Sequence, residues 1–180
     1  MPRVFVAVGS NIDREKHIPQ ALQELRDRFG PLLCSSLYES EAEGFEGPPF
    51  YNLVVAFETD LPFEGVEPIL KEIERRHGRG AEQRKFRSRT LDLDLLLYGD
   101  QVLHRNGRVV VPHGDILRYA FVLEPLAEIA PEMEHPLLRK SFAELWQAFD
   151  KRRARQKRRP NPWCGQWSPH PTPSGRTDSN

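Results

Sequence analysis

The chain has 180 residues and sets 26 Lys plus Arg against 26 Asp plus Glu, with 38% hydrophobic residues and a mean hydropathy of −0.60. A core of this size buries about 70% of the surface its unfolded chain exposes, so no staple is needed, and the longest apolar stretch, near Leu95 to Tyr98, is far short of the ~20 residues that cross a bilayer. Cys34 and Cys164 suggest neither a disulfide framework nor a zinc cluster, and the opening MPRVFVAVGS lacks a signal peptide's long apolar segment, so the expectation is a cytoplasmic protein without a membrane or redox role.

In chain order, Val4 to Val8 is a short apolar run rich in β-branched residues, closed by Gly9-Ser10-Asn11, and predicts a buried first strand. Ile18, Leu22, Leu25 and Phe29 recur at helical spacing until Gly30-Pro31 stops them. Leu32 to Tyr38 and Tyr51 to Thr59 read as two strands, and the Gly/Pro/Glu-rich stretch between them is long for a hairpin, as functional loops often are. Val66, Ile69, Leu70 and Ile73 mark a second helix ended by Gly78; a basic loop follows, then a strand over Thr90 to Tyr98. The order βαββαβ is that of an α+β, ferredoxin-like core with helices over an antiparallel sheet. Beyond it, Val102 to Val111 reads as a hairpin turning at Asn106-Gly107, and Phe121 to Ile129 and Phe142 to Phe149 as two more helices.

Residues 151–180 hold eight Lys or Arg against one acid, a charge of +7 that leaves the rest of the chain at −7. This end also carries five prolines and few aliphatics, too little apolar surface to offset the entropy of ordering it. The expected organisation is one domain over 1–149 and a basic, Pro-rich, disordered tail over 150–180. Such a tail is a solvated appendage or a contact for nucleic acid or a membrane surface, and charge alone does not separate these.

The stretch Arg89-Thr90-Leu91-Asp92-Leu93-Asp94-Leu95-Leu96-Leu97-Tyr98 carries the chemistry. Strand side chains alternate, so Asp92 and Asp94 project to one side about 6–7 Å apart, a repulsive arrangement unless a cation or several donors lie between them. A hard divalent metal suits two carboxylates, and Mg²⁺ shares such sites with phosphate oxygens; a solvated outer face fits a bare D-x-D as well. Gly78 to Arg89 adds five cations and one anion just before the pair, and Arg matches phosphate oxygens with a rigid fork. Together they favour a metal-nucleotide enzyme. Gly9-Ser10-Asn11 is neither a P-loop nor a dinucleotide fingerprint and reads as a structural turn.

With Gly9-Ser10-Asn11, Phe50-Tyr51-Asn52, the spacing from Gly78-Arg79 to Arg89-Thr90-Leu91-Asp92-Leu93-Asp94 and Gly99, Val111-Pro112-His113 and the run from Phe121 to Pro131, the chain resembles the 6-hydroxymethyl-7,8-dihydropterin pyrophosphokinases over about residues 3–149. That family belongs to the folate pathway and moves a diphosphate from ATP to a pterin alcohol. The resemblance implies a ferredoxin-like core elaborated into a three-layer α/β/α sandwich, two Mg²⁺ ions on Asp92 and Asp94 with ATP as co-substrate, and 6-hydroxymethyl-7,8-dihydropterin as acceptor. It implies that Arg79 and Arg89 assist transfer and that Glu74, Arg79, Arg89, Arg108 and His113 contact ATP. Asn52 would meet the pterin edge, Phe50 and Phe121 would sandwich its ring, and Ser40 to Glu43 would help read it beside Asp92.

The chain departs from the family's usual pattern at Phe86, at Arg87-Ser88, at Tyr119, where an Arg is frequent with Arg118 one residue earlier, and at Glu41-Ala42-Glu43. A monomer is expected. An RNA-binding module on a ferredoxin-like sheet would present aromatic side chains where this chain has Asp92 and Asp94. Another Mg²⁺-dependent nucleotide enzyme is separated from the pyrophosphokinase reading only by substrate trials.

Overall fold

Strand β1 (Arg3–Ser10) is apolar on both faces, with Val4, Val6 and Val8 buried on one and Phe5 on the other, and this places it inside a sheet covered on both sides. The structure, a computed structural model, describes residues 1–42, 46–78 and 90–165. Helix α1 (Arg14–Phe29) buries Ile18, Ala21, Leu22 and Leu25, one apolar stripe, and ends at Gly30. Gly30 has φ +87°, which a side chain would resist, and its N–H donates to the Arg26 carbonyl at 2.8 Å.

The strand expected over Leu32 to Tyr38 is split into β2 (Leu33–Cys34) and β3 (Leu37–Ser40). Ser35 makes the break: its N–H donates to the Val54 carbonyl at 2.9 Å, and its hydroxyl replaces a ladder carbonyl by accepting the Val54 N–H at 2.9 Å. Next come β4 (Phe50–Glu58), α2 (Phe63–Arg76) and β5 (Asp92–Tyr98). The hairpin of β6 (Leu103–Arg105) and β7 (Arg108–Val111) turns at Asn106 and Gly107, both at positive φ. Helices α3 (Asp115–Arg118), α4 (Ala120–Ile129) and α5 (Phe142–Ala148) follow; α3 has no counterpart in the sequence reading.

The main sheet is antiparallel throughout, in the order β5-β1-β4-β3-β8, where β8 is Gln156–Arg159 and β2 also pairs with β4. Without β8 this is the expected ferredoxin-like arrangement. Helices α1 and α2 cover one face through Leu22, Leu25, Leu70 and Ile73 against Val6, Leu53 and Leu93. Helices α4 and α5 cover the other through Leu123, Leu126 and Phe142 against Phe5, Val54 and Leu96, completing three layers. Each such fully buried aliphatic side chain contributes about 1.5–3 kcal/mol.

The chain's end departs from expectation in two ways. Disorder was expected from about Asp150, yet a 3-10 turn (Lys151–Arg153) leads into β8, which pairs with β3 from Leu37↔Arg159 to Ser40↔Gln156. The compositional argument fails here because the segment uses the open edge of β3 in place of a core of its own, and Arg158 ion-pairs with Glu128 while Arg159 lies 3.5 Å from Glu39. Second, Cys34 and Cys164, expected to be unlinked, form a disulfide across 130 residues, with Cα atoms 6.1 Å apart. Nothing in a linear reading brings them together; β8 does. Among the described residues no helix is long and apolar enough to cross a membrane.

Candidate active site

Asp92 and Asp94 lie two apart on β5 and share a face with Leu96, the face covered by α4. Asp92 pairs with Gly9 of β1, Gly9 with Asn52 of β4, Asn52 with Tyr38 of β3, and Tyr38 with Arg158 of β8. These five positions form one row across the sheet, and cross-strand partners project to the same side. Gly9 puts no side chain between Asp92 and Asn52, and the Asn52 amide lies over it. A Cβ there would stand 2.7 Å from Asn52 Oδ1, so only glycine admits the amide in this position.

Around the β5 edge lies a cavity of about 690 Å³ lined by Asp94, Glu74, His113, Leu70, Leu93 and Val111 together with the cations Lys71, Arg75 and Arg105. Glu74 occupies the last turn of α2 and is buried, at 7% exposure. His113 is tied to β5 by its backbone N–H, which donates to the Leu96 carbonyl at 2.9 Å. Its ring Nδ1 accepts the Asp115 N–H at 3.1 Å, which fixes the ring's orientation. Arg108 begins β7 and is exposed; Arg105, which sequence reasoning passed over, lines the cavity instead, with its guanidinium 2.8 Å from Glu67.

Asp115 is a second residue that the sequence reading missed. One ligand atom from each of Asp94, His113 and Asp115 lies within 4.8 Å of the others, two carboxylates and an imidazole that together fit a divalent cation. Its position two residues after His113 was the available signal, but only the short α3 turns it back toward β5.

On the other side, Phe50 and Asn52 lie two apart on β4 and share the α4-facing side, and Ser40 stands opposite Phe50 on β3. Ser40 and Phe121, at the start of α4, line a second cavity of about 890 Å³ with Ala42, Pro49, Tyr119 and the chain's C-terminal segment. Tyr119 and Phe121 stack with centroids 4.9 Å apart and planes 14° from parallel. Arg118 points its guanidinium 6.0 Å over the Tyr119 ring and pairs with Asp115 at 3.9 Å.

The turn read as structural proves to be so, since Asn11 donates from its amide to the Pro48 carbonyl at 2.9 Å and ties the end of β1 to the loop before Phe50. Arg14 adds a bond to the Pro49 carbonyl, a face-on contact with Tyr51 at 3.5 Å and an ion pair with Glu39 at 2.6 Å. The Arg14 hydrogen bond holds the Glu39 carboxyl below its ordinary range. Behind this wall, Glu128 of α4 accepts from the Ser36 N–H, the Ser36 hydroxyl and the Tyr38 hydroxyl at 2.9, 2.7 and 2.9 Å. Burial first and the Glu128 charge second push the Tyr38 hydroxyl far up, so it stays a donor. The predicted contributions of Glu43, Arg79 and Arg89, and the departures over Phe86 to Ser88, lie outside the described residues.

Residues 5–131 match the family described as 7,8-dihydro-6-hydroxymethylpterin-pyrophosphokinase (HPPK). The chain is 36% identical over 147 residues to the 2-amino-4-hydroxy-6-hydroxymethyldihydropteridine pyrophosphokinase of Aquifex aeolicus, covering 81% of this chain and 91% of that one. To the enzyme of the same name from Bacillus subtilis it is 38% identical over 135 residues, or 72% and 79% of the two chains. Among solved structures, an HPPK-DHPS in complex with substrates superposes with a TM-score of 0.68 at 12% identity over 88% of this chain, and the Plasmodium falciparum HPPK-DHPS with 0.65 at 15% over 88%. These show the fold, and this chain spans about half their length, 48% and 47%. With its motifs matched over 5–131 and relatives aligned nearly end to end, the chain belongs to the 7,8-dihydro-6-hydroxymethylpterin-pyrophosphokinase family.

Proposed function

We propose that the chain transfers the diphosphate of ATP to the hydroxymethyl group of 6-hydroxymethyl-7,8-dihydropterin and releases AMP, a step of folate biosynthesis. The observation that carries this reading is the row Asp92–Gly9–Asn52, which puts a carboxylate and a hydrogen-bonding amide on one face of the sheet, the amide lying over a position that only glycine leaves open to it. The amide offers both a donor and an acceptor, matching the mixed edge of a pterin, with Phe50 on the same face and Phe121 beside Ser40 to take its ring. The carboxylates mark where the reacting arm lies.

In this reading the acceptor oxygen attacks the β-phosphorus in line. The new O–P bond forms as the bond from β-phosphorus to the α,β-bridging oxygen breaks, and that oxygen departs with AMP. The hydroxyl proton passes to Asp94 or to solvent. Asp92 and Asp94 would hold two Mg²⁺ ions, with His113 and Asp115 beside Asp94. When bound, the ions would neutralise phosphate charge and align the attacking and leaving oxygens. Glu74, His113, Lys71 and Arg105 would receive the nucleotide in the cavity at the β5 edge, and Arg108, at the start of β7, would also contact it. Arg79 and Arg89 would stabilise charge as it develops. Positioning and electrostatics supply most of the acceleration in such transfers.

We place the protein in the cytoplasm as a monomer. In a reducing compartment Cys34 and Cys164 would be held as thiols, leaving the β3–β8 ladder and the side chains of the C-terminal segment to keep it in place. The test is to incubate the protein with ATP, Mg²⁺ and the pterin and to resolve the nucleotides. AMP that forms only when pterin and metal are both present supports the reading. A folded protein that binds Mg-ATP yet makes no AMP overturns it.

A further inference from the structure

The start of α4, which carries Phe121, has no side-chain cap of its own: its N-cap is Tyr119, whose side chain accepts no hydrogen bond from the helix. Support comes from far along the chain. The Gln156 amide donates to the Ala120 carbonyl at 3.1 Å and to Glu124 Oε1 at 2.8 Å, gripping the helix on both sides of Phe121 in sequence. The Arg153 guanidinium donates to the Arg118 carbonyl at 2.7 Å and covers the Phe149 ring at 5.1 Å. Three bonds from one segment thus fix residues 118–124.

The segment is itself anchored independently of α4's first turn. Gln156 stands opposite Ser40 in the β3–β8 ladder, so the sheet sets its height. Arg158 reaches Glu128 and the Ser36 hydroxyl, Asn161 donates to the Ser35 carbonyl at 3.0 Å, and Arg26 donates to the Trp163 carbonyl at 2.8 Å. At the far end Cys164 lies against Cys34 of β2, with Cα atoms 6.1 Å apart, and the ladder and these side-chain bonds hold the segment whether or not the two sulfurs are joined. The same segment walls the 890 Å³ cavity, where Arg152, Arg153, Arg155, Gln156 and Lys157 face Ser40 and Phe121.

We propose that residues 150–165 form a strap that positions Phe121 for the acceptor, with Gln156 and Arg153 as the positioning residues. The proposal rests on reading Phe121 as a pterin-facing aromatic. Its physical basis is preorganisation: a ring held at one angle loses little freedom when a planar ligand stacks on it, whereas a fraying helix start must be ordered at the ligand's expense. The strap therefore bears on acceptor affinity and leaves nucleotide binding at the β5 edge alone.

The test uses the full chain with Gln156→Leu, which keeps the β8 backbone ladder and removes the amide. Two readouts separate the strap from the functional reading. Hydrogen exchange at the amides of Val122 and Leu123, which donate to the Tyr119 carbonyl, should speed up about tenfold while β1 and β4 keep their protection. The Kd for 6-hydroxymethyl-7,8-dihydropterin, measured with a non-hydrolysable ATP analogue present, should rise about tenfold while that of the analogue alone stays within about twofold. Should Gln156→Leu not fold, Arg153→Ala removes the second grip and is read the same way. Unchanged exchange together with unchanged pterin affinity overturns the proposal, as does an equal loss of affinity for both ligands. Wild-type protein that binds no pterin overturns the functional reading, and exchange alone then decides whether the strap holds the helix.

Discussion

On the nucleotide side, Asp92 and Asp94 come from one seven-residue strand whose neighbours in sequence already imply phosphate chemistry, whereas the acceptor side draws Ser40, Phe50, Asn52 and Phe121 from β3, β4 and α4. The first half survives as a contiguous motif because two charges two residues apart on a strand must share a face. The second exists only through register, Gly9 between Asp92 and Asn52, and through buttressing by Glu128 and Gln156. One half is a local statement about chemistry, the other a statement about the whole sheet, and the two should fail differently.

The largest effect is expected at Asp94→Asn, which removes a metal-holding carboxylate while keeping its shape: turnover should fall by about 10²–10³-fold. Steady-state kinetics would check this, and full activity with unaltered Mg²⁺ dependence would remove the assignment. Glu128→Ala should cost about 3 kcal/mol of stability, because it leaves the Tyr38 hydroxyl and Ser36 N–H facing a void and the Arg158 cation without its partner. Chemical denaturation would measure it; a loss below about 1 kcal/mol, the value of an exposed ion pair, would show that the acceptor wall is not built on this cluster.

Gly9→Ala sharpens the comparison at the row itself. Its methyl group, 2.7 Å from Asn52 Oδ1, must displace the amide, so pterin Kd should rise about tenfold, the value of one good hydrogen bond to a ligand, with Mg-ATP affinity unchanged. Calorimetric titration of each ligand would decide, and a parallel loss of both would merge the halves.

The smallest effect lies away from both halves. Burial holds His135 below its usual pKa, and its Nδ1 accepts the Leu137 and Leu138 N–H groups, each at 3.2 Å. The unfolded chain therefore binds this proton more readily than the folded one. The contribution is complete above pH about 6.5 and is lost as pH falls below that value through the folded pKa. Denaturation midpoints from pH 7.5 down to 5.5 should fall less steeply in His135→Gln than in the parent.

Much of the fold was legible because its signals are local. The stripes of α1 and α2, the Asn106-Gly107 turn and the unbroken apolar run of β1 follow from side-chain period, positive φ and local composition. The breaks in legibility are long-range. Ser35 splits a strand by offering its own hydroxyl, in place of a carbonyl, to the Val54 N–H of β4, a partner that no window around residue 35 contains. The residues Gln156 to Arg159 have no apolar alternation and become a strand only because β3 offers an unpaired edge. The Cys34–Cys164 bond follows from the placement of β8, and the Asp115 position from the turn of α3. Of the candidate site, the carboxylates were readable from spacing, and the roles of Asn52, Phe50 and Phe121 came only from resemblance, since an amide and two aromatics on separate elements carry no shared local signal.

The most direct measurement uses ATP labelled with ³²P in its β-phosphate, incubated with Mg²⁺, the pterin and the protein. Diphosphate transfer predicts that the label moves into the pterin product in equal amount to the AMP released. Label retained in ADP, with no AMP formed, would contradict it.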